Sequence, residues 1–201
     1  MRDVMLAVFF LCAGITLIYL QTDKFQAFTF EGARRHNIEQ QPIKLSNYQL
    51  IDANGKQTNF SDLQGKTLLI DFIYTRCPTV CSLLGSSYAN LQGKITKDKN
   101  LKNVALISIS FDLAYDNAAA LKAYQQRYTQ TPEQWYLFVP TSRQQLQAIL
   151  TEFGVVVIAD LYGGFIHNSA VHITDNTGYL VKVTDWQNNE ELNHAINSVV
   201  N

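Results

Sequence analysis

The chain has 201 residues, 47% of them hydrophobic, and 16 Lys and Arg set against 17 Asp and Glu leave a net charge of −1. That length and apolar content suffice for one full core, so the three cysteines are not needed to hold a small scaffold together. A balance this close to neutral offers no basic surface for a nucleic-acid partner.

Val4 to Leu20 is apolar apart from Gly14, Thr16 and Tyr19, and its 17 residues stand at the lower limit for crossing a bilayer. No Ala-x-Ala cleavage pattern follows it, so residues 1–20 are expected to form a retained transmembrane anchor. Cys12 lies inside this run without the small-residue context of a bacterial lipoprotein site and is expected to be inert. Arg2 precedes the run and Lys24, Arg34 and Arg35 follow it, a distribution that by charge alone favours keeping the following domain inside. Residues 21–41 are polar without a strong period and are expected to be a tether with at most one loosely packed turn, with the folded domain spanning 42–201.

Within that domain Asn54-Gly55 separates two strand-like runs and predicts a β-hairpin. A buried strand is expected over Thr67–Ile73, a helix over Thr79–Ile95, and a second buried strand over Val104–Phe111. A helix at Asn117–Tyr128 leads to a strand at Trp135–Val139. Ser142 to Gln145 then reads as a capping box before Leu146, Ile149, Leu150 and Phe153 at helical spacing, with Gly154 as terminator. Val171–Thr174 and Tyr179–Val183 form a hairpin across Asp175-Asn176-Thr177-Gly178, and Asn188 to Glu191 caps a last helix carrying Leu192, Ile196 and Val199 on one face. Strands alternating with helices, closed by a hairpin and a helix, predict an α/β domain of thioredoxin-like fold: a central mixed sheet flanked by helices, extended by the N-terminal β-hairpin and preceded by the transmembrane helix.

The chemistry concentrates where the first buried strand ends, at Arg76-Cys77-Pro78-Thr79-Val80-Cys81. Pro78 suits the first turn of the following helix, and thiols at a helix N-terminus gain thiolate character. At i, i+4 the two side chains face the same way, so the pair can close a disulfide or chelate one ion. A purely structural staple is the weaker reading, because so short a loop removes little entropy from the unfolded chain.

The chain resembles the Sco/SenC family, membrane-anchored thioredoxin-fold proteins that bind copper and help assemble the binuclear copper site of cytochrome c oxidase. The likeness runs from about Pro42 to Asn201. It rests on Asn54-Gly55, Asp62-Leu63-Gln64-Gly65-Lys66, the run from Phe72 to Cys81, Ser108-Ile109-Ser110-Phe111-Asp112 with Asp116, Trp135, and His167 ahead of Gly178. The resemblance implies that Cys77, Cys81 and His167 ligate one copper ion, as Cu(I) or Cu(II). It also implies a copper metallochaperone rather than an enzyme, in the bacterial inner membrane with its domain facing the periplasm. Its partner would be the copper-binding subunit of cytochrome c oxidase or another copper acceptor, and a thioredoxin-like reductant would keep the thiols reduced. Two thiolates and an imidazole are ligands that copper favours, whereas structural zinc wants four protein ligands and no second Cys or His pair is at hand. The alternatives are a thiol-disulfide reductase, with Cys77 and Cys81 as its catalytic pair, and a copper or redox sensor. The chain departs from the family pattern at Ser82, where proline is common, at Ile166, where an aspartate commonly precedes the histidine, and at Val139-Pro140-Thr141.

Other titratable residues have plainer readings. His172 is expected to be a packing residue on its strand, and His36 and His194 to be surface residues. Asp112 and Asp116 are placed to assist the thiols or, for Asp116, to cap a helix. Asp71, inside an apolar strand, must be paired or protonated and either tunes the thiols or satisfies buried backbone. Arg76 either favours the Cys77 thiolate or projects into solvent.

Overall fold

The structure, a computed structural model, describes residues 2–21, 30–77 and 80–200. It divides into two compact units, Met1–Pro42 and Ile43–Asn201. The first holds helix α1 (Arg2–Gln21) and helix α2 (Phe30–Gln40). In α2, Glu31 accepts hydrogen bonds from Arg34 and Arg35 at 2.7 and 2.9 Å, the i+3 and i+4 pairing that supports a helix where only a tether was expected. The expected anchor falls on α1, but among the described residues no helix is long and apolar enough to cross a membrane. The structure therefore lends the transmembrane reading no support. Its run was minimal in length and was interrupted by Gly14, Thr16 and Tyr19.

The second unit is built on an eight-stranded mixed sheet. Its strands are β1 (Ile43–Lys44), β2 (Gln49–Asp52), β3 (Gln57–Asn59), β4 (Thr67–Ile73), β5 (Val104–Ser110), β6 (Trp135–Pro140), β9 (Val171–Thr174) and β10 (Tyr179–Thr184), in the order β1-β10-β9-β4-β5-β6-β2-β3. Between β6 and β9 the chain forms a separate two-stranded ribbon, β7 (Val157–Ala159) and β8 (Phe165–His167). Helices α3 (Val80–Ile95), α4 (Ala118–Gln126), α5 (Arg143–Phe153) and α6 (Asn189–Val200) complete the unit.

Strands β4 and β5 are buried along their whole length, as continuous apolar runs in a parallel pair covered on both faces must be. Alternation along β4 puts Asp71 and Phe72 on opposite faces. On the Asp71 face, the Tyr88 ring of α3 lies 5.9 Å from that of Trp135, whose indole N–H donates to Ser108 at 3.0 Å. On the Phe72 face, Phe153 of α5 and His172 of β9 meet the Phe72 ring at 5.3 and 5.6 Å. His172 is thus the packing residue expected, with its Nε2 3.1 Å from the Phe153 carbonyl.

The Asn54-Gly55 hairpin forms as expected, with Gly55 at φ 81° and the Asp52 carboxylate accepting from the Asn54 and Lys56 amides. Helix α5 is capped by Ser142, which accepts from the Gln145 amide at 3.2 Å, and ends at left-handed Gly154. The Gln145 side chain does not return to close the box; it binds the Gln49 amide and Thr141 instead. Helix α4 is capped by Asn117, not Asp116. Asp116 is buried and accepts hydrogen bonds from the Thr75 amide and hydroxyl and from Ser110 at 2.9, 2.6 and 2.6 Å.

Candidate metal centre

Strand β4 carries the chain from the core to the rim, where Thr75 is tied to Asp116 and the Cys77 amide donates to the Tyr74 carbonyl at 3.2 Å. Pro78 and Thr79 lie outside the described residues, so the first-turn role expected of Pro78 has no structural counterpart here. Both cysteines are buried and not joined in a disulfide, and the Cys81 amide in the first turn of α3 donates to the Cys77 sulfur at 3.3 Å. The Cys77 sulfur therefore occupies the place of a helix-capping acceptor, where negative charge is favoured.

Cys81 differs from what the helix-terminus reading implied for both thiols. Its hydrogen bond with Cys77, followed by burial, pushes the Cys81 thiol far above the ordinary range, so Cys81 holds its proton. In this pair burial and the neighbouring sulfur outweigh the helix dipole. The Cys81 carbonyl accepts a 2.6 Å hydrogen bond from Tyr124, which ties α3 to α4 behind the thiols.

His167 sits on strand β8, paired with Val157. Its ring lies 5.0 Å from Phe111, and its Nδ1 is buried without a hydrogen-bond partner among the described residues. Burial lowers the imidazole's pKa, while a hydrogen bond with the Asn168 backbone and the nearby Cys77 act in the opposite sense. A neutral ring with an open buried nitrogen is in the form a metal requires. Among the described residues, however, no three Cys, His, Asp or Glu side chains stand close enough together to hold a metal ion. The thiols meet each other, and the imidazole stands within electrostatic range of Cys77 without joining them in a ready-made chelate.

Three aromatic residues that the sequence reading did not single out hold the ribbon beside the thiols. Phe165 lies two residues before His167, on the same face of β8, and meets Tyr74 at 5.1 Å and Phe111 at 5.4 Å. Tyr74 and Phe111 themselves approach to 5.5 Å. The Tyr74 phenol has a raised pKa, chiefly from burial, with the hydrogen-bonded Cys77 side chain adding to it and the Phe165 backbone opposing it. The i, i+2 aromatic-then-histidine spacing was the available signal, since alternate residues of a strand share a face.

Arg76 is exposed, as one of its two readings had it, but its head group is engaged. Its guanidinium lies 3.6 Å over the Tyr115 ring and donates to the nearly buried Asp112 carboxylate at 2.8 Å and, more distantly, to the Gly163 carbonyl at 3.5 Å. Asp71 is 1% exposed; burial lifts its pKa to about 7 despite a hydrogen bond with Ser108, and its Oδ1 has no partner among the described residues. His194 is exposed on α6, and His36 lies on α2 in the other unit. Cys12 is exposed and unpaired to any cysteine.

A mixed sheet with helices, a dithiol where its central strand meets a helix, and an imidazole on an adjoining ribbon define a thioredoxin-like protein suited to thiol or soft-metal chemistry. Residues 36–201 match the sequence profile of the SCO1/SenC family, and the chain belongs to that family. The SCO1 protein homolog of Bacillus subtilis is 25% identical over 165 residues, which cover 81% of this chain and 82% of that protein. The crystal structure of a SCO1/SenC family lipoprotein from Bacillus anthracis superposes with a TM-score of 0.72 at 26% identity, covering 80% of this chain and 98% of that one. ScoI of Bradyrhizobium japonicum, solved with copper bound, shares the fold at a TM-score of 0.64 and 23% identity, over 78% of this chain and 97% of that one.

Proposed function

We propose that this protein is a copper metallochaperone that takes one copper ion on Cys77, Cys81 and His167 and passes it to a copper site of cytochrome c oxidase or of a similar acceptor. The observation that carries the reading is the buried His167 Nδ1, open and facing no hydrogen-bond partner among the described residues, beside two buried cysteines that are not joined in a disulfide. A buried imidazole nitrogen without a partner costs stability unless something else uses it. Soft thiolates suit Cu(I), and an imidazole suits both copper states. Family membership supports the same reading, since Sco proteins are described as cytochrome c oxidase assembly proteins.

Loading requires Cys81 to give up the proton that its hydrogen bond with Cys77, followed by burial, holds on it, so copper uptake is expected to release protons and to strengthen as pH rises. Delivery then proceeds by exchange of these ligands for those of the acceptor. A thiol-disulfide reductase is the second reading, supported by one specific feature: the Cys81 amide on the Cys77 sulfur makes Cys77 the attacking thiol and Cys81 the resolving one. We infer a working place at the outer side of a bacterial inner membrane, in keeping with the lipoprotein relative. The single-pass anchor over Val4–Leu20 is not part of this reading.

Copper titration of the reduced protein, with an absorption spectrum that counts sulfur and nitrogen neighbours, tests the ligand set. One copper with two sulfurs and one nitrogen is expected; Cys77→Ser and Cys81→Ser should abolish tight binding, and His167→Ala should cost roughly 10–100-fold in affinity with loss of the nitrogen. His172→Ala and His194→Ala should leave the nitrogen in place. In cells, oxidase activity that survives His167→Ala while both cysteine variants fail would overturn the chaperone in favour of the reductase.

A further inference from the structure

The ribbon that carries His167 is not hydrogen-bonded to the eight-stranded sheet. Its root is held by Asn168, which accepts from the Val156 amide at 2.7 Å and donates to the Gly154 carbonyl at 3.1 Å. At its tip the Asp160 carboxylate accepts from the Tyr162 and Gly164 amides, and the Gly163 carbonyl accepts from Arg76. Neither end decides which face of β8 turns inward. In a half-buried strand that choice is made by alternation, one face being apolar and the other polar. Here alternation does not make it. Ile158 and Ile166, paired across the ribbon, are 58% and 67% exposed, while Phe165 and His167 on the other face are half-buried. Turned over, the ribbon would bury two isoleucines and present the imidazole to water, an arrangement that the hydrophobic pattern alone does not reject.

Ring contacts reject it. Phe111, the first residue beyond β5, meets Phe165 at 5.4 Å and His167 at 5.0 Å, both edge to face, so one ring reads two successive inward positions of β8. Tyr74 adds a contact to Phe165 at 5.1 Å. Phe111 is itself placed by the rigid part of the fold. It is 5% exposed, and its amide donates to the Ile73 carbonyl at 3.0 Å, just past the β4–β5 pairing. The next residue, Asp112, is buried and held by Arg76.

We propose that Phe111 is a positioning residue that selects the inward face of β8 and so sets the His167 imidazole, rather than Ile166, at the rim beside the thiols. Edge-to-face ring contacts are directional, whereas an aliphatic side chain at this position would pack on Ile166 as readily as on His167. The inference rests on the ligand reading only for its consequence in copper binding; the choice of face is a property of the metal-free protein.

The test is NMR of the reduced, metal-free full chain with its histidines isotope-labelled, the His167 signal being assigned by its absence in His167→Ala. Phe111→Leu keeps an apolar side chain without the ring, and Phe111→Tyr keeps the ring. Phe138→Leu removes a buried ring elsewhere in the core, one that stacks on Tyr136. In Phe111→Leu the His167 ring resonances should lose their ring-current displacement and move to the positions of a free histidine. Amide exchange in residues 165–167 should quicken by about 3–10-fold, the worth of one aromatic pair, with residues 67–73 unchanged. Phe111→Tyr and Phe138→Leu should both leave the His167 resonances in place. Resonances unmoved in Phe111→Leu, or moved as far in Phe111→Tyr or Phe138→Leu, would overturn the assignment. In the copper arm, Phe111→Leu should lower affinity by a similar factor and weaken the nitrogen signal while keeping both sulfurs; an unchanged nitrogen signal would overturn the role in placing His167. Failure of the unaltered protein to bind copper would count against the proposed function alone, since the histidine spectra need no metal.

Discussion

The two parts of the candidate site are held in opposite ways. The thiols stand just beyond the end of β4, with Cys81 in the first turn of α3, and β4 is buried along its length with β5 on one side and β9 on the other. The imidazole stands on a three-residue strand that pairs only with another of the same length. Below the thiols the core is continuous: Phe72, Phe153 and His172 interlock, and Tyr88 and Trp135 fill the other face. The ribbon turns an apolar outer face to solvent instead, with Ile158 and Ile166 paired across it and Leu161 and Tyr162 almost fully exposed at its tip. On the proposed reading this division would serve a copper carrier, with the sulfurs fixed by the core and the proposed third ligand on the less tightly held element.

The sharpest break of that comparison is a pair of truncations. Phe153 is fully buried and meets Phe60, Phe72 and His172, so Phe153→Ala should cost about 3–5 kcal/mol in urea unfolding. Ile166 is 67% exposed, and Ile166→Ala should stay within about 0.5 kcal/mol. Equal costs would mean that the ribbon is as much a part of the core as α5 is.

Asp71 gives a second contrast, because it puts a titratable group inside the rigid half. Its folded pKa, raised from 3.8 to about 7, stands above its unfolded value. Below about pH 4 it is protonated in both states, and its contribution to stability is intact. As pH rises towards 7 the unfolded chain ionises first, and the folded state loses stability until the buried carboxyl ionises as well. The full loss approaches about 4 kcal/mol, at roughly 1.4 kcal/mol per pKa unit. Asp71→Asn should remove this loss, so the variant should gain on the unaltered protein between pH 4 and pH 8 when both are unfolded in urea. Parallel pH profiles would show that Asp71 is satisfied in a way its open Oδ1 does not suggest.

What was legible in the sequence follows the same division. Strands β4 and β5 announce themselves as unbroken apolar runs, and the Cys77-to-Cys81 motif needs no tertiary information. The ribbon is not legible, because three-residue strands around Gly163-Gly164 carry no period long enough to detect. His167 was found through family resemblance, not through its own surroundings. Asp116 and Asn117 are both good capping residues, and what decides between them is Thr75, distant in sequence and adjacent in the fold. Arg76 had two plausible uses in one dimension and a third, on Asp112 and Tyr115, that only the sheet topology creates. Helix α2 has a local signal of its own, since Glu31 with Arg34 and Arg35 stands at the i+3 and i+4 spacing of a helix.

The smallest expected effect tests the ribbon at its root. Asn168 forms two hydrogen bonds, one to each side of the turn that joins α5 to β7, and it directly follows His167. Both bonds are partly exposed to water, so Asn168→Ala lets solvent replace them and should cost no more than about 1 kcal/mol in global stability. Locally the effect should be larger than that figure implies. With the root freed, the amides of residues 156–159 lose their fixed geometry while the tip remains held at Gly163 and Phe165. Hydrogen exchange should therefore rise first at the root and only weakly at residues 163–165, the reverse of the pattern expected from loss of the Arg76 contact in Arg76→Ala. If both variants loosen the whole ribbon equally, it moves as one rigid flap and its two ends are not held independently. If neither does, the aromatic packing of Phe165 on Tyr74 and Phe111 is sufficient by itself to hold His167 at the rim.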